Sequence, residues 1–267
     1  ILFFILPLFQ TIGYSFTDYN GINPKKEFTG LTNYFDVFQD KWFYNSMAFT
    51  GKSVLLMILL ANVLGFLLAL ALNTKIRSRN ILRAIVFCPF VFNNVTVGFI
   101  WQFLLGRFMT DLYPLTGWKV FNIGWLSDNS LVLYSVVFVK LWQSIGYFMV
   151  IYLAGLQLLP QDPLEAAVID GCTGIKMIRY ITIPLMKPTA FVCIFLAITE
   201  SLNMFPLIMS LTNGGPGHAS ENISLYIYNE AFKSHRMGYA SALAVILTII
   251  MTIIAGLQMK LTREDAG

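Results

Sequence analysis

Apolar residues in this chain gather into long, nearly unbroken runs instead of alternating with polar ones. A membrane-crossing helix needs roughly 20 mostly apolar residues. Six stretches approach or reach that length: 1–16, 51–73, 83–105, 131–154, 189–211 and 238–260. Polar connections rich in turn residues separate them, such as 18–24 (DYNGINP) and 213–217 (NGGPG). No period-two alternation is sustained, which argues against a transmembrane β-barrel. The pattern predicts an all-α, polytopic bundle of about six transmembrane helices. In that layout 1–16 is the distal part of a first membrane helix, with the full protein carrying its start and any helices before it. Residues 17–50 form an outer loop, 51–260 the membrane core, 155–188 a long connection within the core, and 261–267 a tail.

Composition narrows the class further. Of 267 residues, 57% are hydrophobic and only 12% charged, against roughly 25% charged in a soluble domain. Mean hydropathy is +0.67. The basic residues form no stripe interleaved with aromatics, so nothing points to nucleic acid. Cys88, Cys172 and Cys193 are widely spaced, and His218 and His235 lie in polar loops. No metal-ligand or disulfide framework follows from that spacing. Orientation rests on the short connections. The side holding 74–82, 155–188 and the tail carries nine of the eighteen basic residues, a tie. The stretch 74–83, however, has Lys75, Arg77, Arg79 and Arg83 with no acid, whereas the opposite loops dilute theirs with Asp18, Glu27, Asp36, Asp40, Asp111, Asp128, Glu221 and Glu230. The positive-inside rule therefore puts 74–82 and 155–188 in the cytoplasm.

The connection 155–188 is unusual for a loop. Pro160 and Pro163 end the preceding helix, and Pro163 suits the first position of a new one. Glu165, Ala166 and Ala167 are strong helix formers, with Glu165 near the positive helix end. Gly171 and Gly174 break that helix, a second amphipathic piece runs over 175–181, and Pro184 and Pro188 mark entry into the next membrane helix. The physical reading is a helix-turn-helix with small residues on one face. It either protrudes toward another protein or lies on the bilayer as a linker.

The residues themselves carry a resemblance. Glu165-Ala166-Ala167, then Asp170-Gly171, then Ile183-Pro184 and Pro188 resemble the EAA signature of ABC-importer permeases, with Cys172 and Ile183 as mild departures. Residues 15–20 (SFTDYN), 30–34 (GLTNY), 153–157 (LAGLQ), 214–217 (GGPG) and 238–242 (GYASA) are similar to the carbohydrate-uptake branch, the maltose and multiple-sugar permease type. The resemblance implies a type I importer permease fold in a bacterial cytoplasmic membrane. It implies a homologous second permease subunit, two ATPase subunits, an extracellular solute-binding protein, and a sugar as cargo. It also implies that Glu165, Ala166, Ala167, Asp170, Gly171 and Pro184 couple the chain to its ATPase. The chain has no phosphate loop of its own: Gly51-Lys52-Ser53 lacks the earlier glycine, position 46 being Ser. ATP and Mg²⁺ then belong to the partner ATPase, and the chain is no enzyme and holds no cofactor.

Ionisable groups inside a bilayer cost roughly 2.5–3.5 kcal/mol each and mark functional positions by default. Glu200 and Lys140 both fall near mid-bilayer by residue count. Two readings fit them: an ion pair holding neighbouring helices, or two polar groups facing one aqueous path. Asn203 follows Glu200 by one turn, Asn94 with Asn93 interrupts the third run, and Gln143, Trp142 and Tyr147 decorate the fourth. Amides, carboxylates and aromatics hold sugars, but they also join helices. Trp42, Trp101, Trp118 and Trp125 read as interfacial or outer-loop aromatics. The glycine-rich 213–217 turn either seats a binding protein or merely connects helices. Three alternatives stand beside a sugar importer: import of a non-sugar solute, a self-sufficient secondary transporter with a Glu200/Lys140 relay, and, more remotely, a membrane-embedded enzyme.

Overall fold

A computed structural model describes residues 2–23, 25–74 and 77–264 of the chain. It is built of helices, and the described residues contain no strand beyond an isolated bridge between Thr17 and Phe28. The first half holds α1 (Leu2–Tyr14), α2 (Thr32–Gln39), α3 (Lys41–Leu72), α4 (Arg79–Phe87), α5 (Asn94–Gln102) and α6 (Met109–Thr116). The second half holds α7 (Val132–Gln157), α8 (Gln161–Ile169), α9 (Ile175–Met177), α10 (Ile183–Leu185), α11 (Lys187–Leu202), α12 (Phe205–Leu211), α13 (Ile223–Tyr228) and α14 (Met237–Glu264). Wide π turns continue α5 over Phe103–Phe108, join α9 to α10 over Ile178–Thr182, and follow α13 over Asn229–Lys233.

Among the described residues three helices are long and apolar enough to cross a membrane: Lys41–Leu72, Val132–Gln157 and Met237–Gln258. Two bent helix pairs are long and apolar enough only when each is taken together, as a broken span or a re-entrant loop: Arg79–Val91 with Asn94–Thr116 at 94°, and Ile175–Leu185 with Lys187–Leu202 at 71°. Helix α1 spans only 13 residues. The runs 83–105 and 189–211, each expected as one helix, are both broken, and both breaks have local causes. The run 83–105 is not one helix: Pro89 sits in a 3-10 turn over Cys88–Val91, Phe92 is extended, and Asn93 caps α5 by accepting the Val95 N–H at 2.8 Å. Proline removes a helical donor, and an amide side chain before a helix start satisfies a free one. The run 189–211 breaks after Leu202, because Pro206 lacks the N–H that would bond the Leu202 carbonyl. The Ser224 hydroxyl donates to that carbonyl instead, at 3.4 Å. Helix α3 also begins earlier than expected, at Lys41, because the Asp40 carboxylate caps it through the Trp42 N–H at 2.9 Å. Residues 41–50 are therefore helical and continuous with α3.

The core forms where α3, α7 and α11 pack together around Met57, Ala61, Phe148, Met149, Tyr152 and Cys193, all buried. Ala61, Gly65 and Ala69 recur every four residues along α3, and small residues let helices in a bilayer approach closely. At Gly65 a Cβ would stand 2.8 Å from that of Phe148. Tyr152 donates to Asn62 Oδ1 at 2.6 Å across the same interface.

Segments far apart in sequence meet at the end of the bundle opposite α8. The Gly238 N–H donates to the Tyr19 carbonyl at 2.7 Å, and Asn33 donates to the carbonyls of Ser15 and Thr17, each at 2.9 Å. Asp40 holds this end together. Its Oδ2 accepts from Tyr239 at 2.6 Å and from Tyr226, so one carboxylate links α3, α13 and α14. Burial raises the Asp40 pKa, but the hydrogen bonds from Tyr226, Tyr239 and the Trp42 amide, with the Arg236 charge, outweigh it and hold the group below its ordinary value. A lowered folded pKa contributes stability that is present above the unfolded value, about 3.9, and is lost as pH falls through the folded one. Asp40→Asn is expected to lower the stability of the detergent-solubilised protein by about 1.5–3 kcal/mol at pH 7, the range for hydrogen bonds to a charged group. Thermal unfolding of both proteins checks this: the gap should shrink below about pH 4, and an equal gap at pH 7 and pH 3 would count against the carboxylate.

Candidate functional site

Two places carry the chemistry-bearing residues, one inside the bundle and one at its tip. Inside, α7 turns Lys140 and Gln143, three residues apart and so on one face, toward the break between α4 and α5. The break leaves the Phe92 carbonyl without a helical partner, and Gln143 Nε2 donates to it at 2.9 Å. Asn94, the first residue of α5, accepts from Lys140 Nζ at 3.3 Å. Glu200 arrives from the last turn of α11, just before the second break, and its Oε2 lies 2.6 Å from the same Nζ. Both breaks therefore converge on one ammonium. The Lys140 side chain is 3% exposed and that of Glu200 26%, so the carboxylate borders open space while the ammonium does not. Irregular backbone at membrane depth is tolerated where protein or a cavity supplies partners.

Asn203 lies just past the end of α11 and is exposed. With Asn94, Phe205, Ser224, Tyr228 and Phe232 it lines a cavity of about 500 Å³. Asn94 thus touches both the ion pair and the cavity. Phe205, Tyr228 and Phe232 form a run of rings with centroids 5.3 and 5.1 Å apart. The structure sets Tyr147 elsewhere: two turns beyond Lys140, its ring is stacked on Phe90 at 4.5 Å and 2°, against the 3-10 turn. Ser224, Tyr228 and Phe232 were outside the sequence expectations because they lie between the apolar runs. The signal that marks them is the Tyr228/Phe232 spacing of four residues across a π turn, a feature frequent at functional sites.

At the tip, Pro160 is extended and α8 starts at Gln161, two residues before the start expected at Pro163. A first-turn proline loses no helical bond, so Pro163 fits there. The helix closes on Gly171 at φ 74°, with the Cys172 N–H bonding the Ala167 carbonyl at 2.8 Å and the Gly171 N–H bonding that of Val168 at 3.0 Å. This is the Schellman arrangement, which places glycine in the left-handed region. Ala167 faces inward, while Glu165, Ala166, Asp170 and Gly171 are exposed. Val168, Ile169 and Ile175 are 55%, 86% and 82% exposed, an apolar tip flanked by carboxylates. Pro184, also exposed, sits at the second position of α10, after the π turn.

The sequence pattern described as "binding-protein-dependent transport system inner membrane component" matches residues 61–263. The chain belongs to that family. Members similar along nearly the whole chain include a probable permease for starch degradation products from Thermoanaerobacterium thermosulfurigenes, 36% identical and covering 99% of this chain and 90% of that protein. A multiple sugar-binding transport system permease from Streptococcus mutans is 33% identical, covering 99% and 91%. An sn-glycerol-3-phosphate transport system permease from Brucella abortus is 30% identical, covering 99% and 90%. Among solved structures, a bacterial ABC transporter for the acidic polysaccharide alginate superposes with a TM-score of 0.81 at 22% identity, covering 99% of this chain and 92% of that one. The fold is therefore that of an ABC-importer permease, and the chain is a multi-pass membrane component of a transport system.

Proposed function

We propose that this chain is one of two permease subunits of an ATP-driven importer that carries a neutral sugar or oligosaccharide across a bacterial cytoplasmic membrane. The observation that carries the reading is the exposed tip of α8, an apolar surface of Val168, Ile169 and Ile175 beside Glu165 and Asp170. Such a surface on the basic, cytoplasmic side fits a separate ATPase subunit, which binds ATP and Mg²⁺ and drives the helices that flank the loop. An extracellular binding protein delivers cargo to the opposite end. The family description, and the complex of the alginate importer with an alginate-bound periplasmic protein, support that partner.

Neutral cargo is favoured over glycerol phosphate by charge. Lys140, which contacts the lining residue Asn94, is already paired with Glu200, and no cationic side chain lines the cavity itself. Amides, hydroxyls and a run of aromatic rings remain, which suit a sugar ring. The test is ATP-dependent uptake by the reconstituted complex, with maltotriose, sucrose and glycerol 3-phosphate as labelled probes. Uptake of a neutral sugar that requires the ATPase and the binding protein is the expected result. Transport by this chain alone, or uptake of glycerol 3-phosphate only, would overturn the proposal.

A further inference from the structure

A second cavity lies along the same helix pair as the first. Helices α5 and α12 run side by side, starting together at Asn94 and Phe205 and ending together near Gln102 and Thr212. The inner cavity occupies their shared start. Another, of about 400 Å³, occupies their shared end, where Gln102, Thr110, Trp125, Ser127 and Thr212 line it. Eight residues of α5 separate the two, about 12 Å at helical rise. Between them the helices touch: a Cβ at Gly98 would lie 1.8 Å from Ser210 Oγ and 3.0 Å from the Leu207 carbonyl. The pair is thus closely packed at its middle, with a partly open chamber at each end.

The lining of this outer chamber is chemically selective. It includes no ionisable side chain. It joins the α5–α6 segment, the 123–127 turn and the end of α12 around one space. Thr110 and Thr212 are engaged inside the chain, Thr110 with the Gly106 carbonyl and Thr212 with Ser220. The Gln102 and Ser127 side chains are exposed and make no hydrogen bond within the described residues, so their polar groups face the open side of the chamber, where a ligand would take the place of water. Trp125 is fixed at both ends. Its indole N–H donates to the Val120 carbonyl at 3.2 Å, and its carbonyl accepts from Ser135 at 2.7 Å. A held aromatic ring, an exposed amide and an exposed hydroxyl, without charge, match one ring of a neutral carbohydrate. Chambers of this size hold small ligands.

We infer that the outer chamber is an entry subsite for a neutral sugar residue, occupied before the α5–α12 contact opens toward the inner cavity. The inference rests on the sugar reading above, and its test is separable from uptake. In the full complex in nanodiscs, Ser127→Cys is labelled with a maleimide in the absence and presence of maltotriose, sucrose or glycerol 3-phosphate. Ser130→Cys, outside the chamber, serves as the comparison. The inference expects a neutral sugar to slow labelling at position 127 at least fivefold, to leave position 130 unchanged, and to lose its effect when Gln102→Ala is added. Equal rates at 127 with and without every probe, or protection at 130 as well, would overturn it. Protection by glycerol 3-phosphate alone would overturn its assignment to a neutral ligand. ATP-dependent uptake by the wild-type complex is measured in parallel. Sugar uptake without protection sinks the subsite alone, whereas no sugar uptake sinks the functional reading on which it rests.

Discussion

Glu200→Gln is expected to destabilise the chain by about 3 kcal/mol or more, and Lys140→Met by clearly less. The asymmetry follows from exposure. Removing the carboxylate charge leaves an ammonium whose side chain is 3% exposed with no counter-charge, facing only the neutral amides of Asn94 and of the new residue 200. Leaving a buried charge without its partner typically costs about 3–5 kcal/mol. Removing the ammonium strands a carboxylate that is 26% exposed and borders open space, where water can reach it. The double variant Lys140→Met/Glu200→Gln should recover most of the lost stability, since an uncharged replacement of a buried pair is often neutral. Thermal unfolding of the four proteins in detergent measures the cycle. Strictly additive losses would remove the pair as a unit. Uptake by the recovered double variant then separates the two readings of the pair: retained import makes it a brace between α7 and α11, and lost import with recovered folding makes it part of the path.

Much of this architecture was legible from residue patterns, and the parts that were not share a physical origin. Helix existence followed from apolar length, because a bilayer imposes a length on every crossing segment. The breaks escaped it because hydropathy is blind to hydrogen-bond donors: Pro89 and Pro206 are apolar enough to extend a run while removing the N–H that would continue it. Asn93 followed by Asn94 was the visible trace of the first break, one residue capping a new helix and the other reaching Lys140. Lys140 and Glu200 stood out because charge in an apolar run is costly. Their meeting depends on the two breaks, which bring the ends of α5 and α11 to α7. Tyr147 shows the converse, since it decorates the same apolar run as Gln143 but its ring is stacked on Phe90. The cavity wall from α13, with Ser224, Tyr228 and Phe232, had no linear signature linking it to Asn203.

Gly171→Val, and separately Glu165→Arg, are expected to abolish ATP-driven uptake while leaving the chain inserted in the membrane. Gly171 sits at φ 74° as the residue that ends α8, and its would-be Cβ meets nothing within 4 Å. The penalty is therefore conformational and not steric: a left-handed residue with a side chain costs roughly 1–2 kcal/mol, more when β-branched. The bonds from Gly171 and Cys172 to Val168 and Ala167 would open, and the tip bearing Val168 and Ile169 would lose its fixed orientation. Glu165→Arg keeps a strong helix former at an exposed position and loses only the small favourable interaction of the carboxylate with the helix start, but it reverses the charge beside that tip. Losing one anchor of an interface costs about 2 kcal/mol or more, roughly 30-fold in affinity. Neither site touches the membrane core, so insertion and thermal stability of the helices should hold near wild-type values. Co-purification of the ATPase subunit, cargo-stimulated ATP hydrolysis and uptake are the three measurements. Both variants should lower all three together, with Gly171→Ala intermediate because its single methyl carries the smaller left-handed penalty. If both variants keep the ATPase bound and import at the wild-type rate, the tip of α8 is a linker resting on the bilayer and the coupling contact lies elsewhere on the cytoplasmic face.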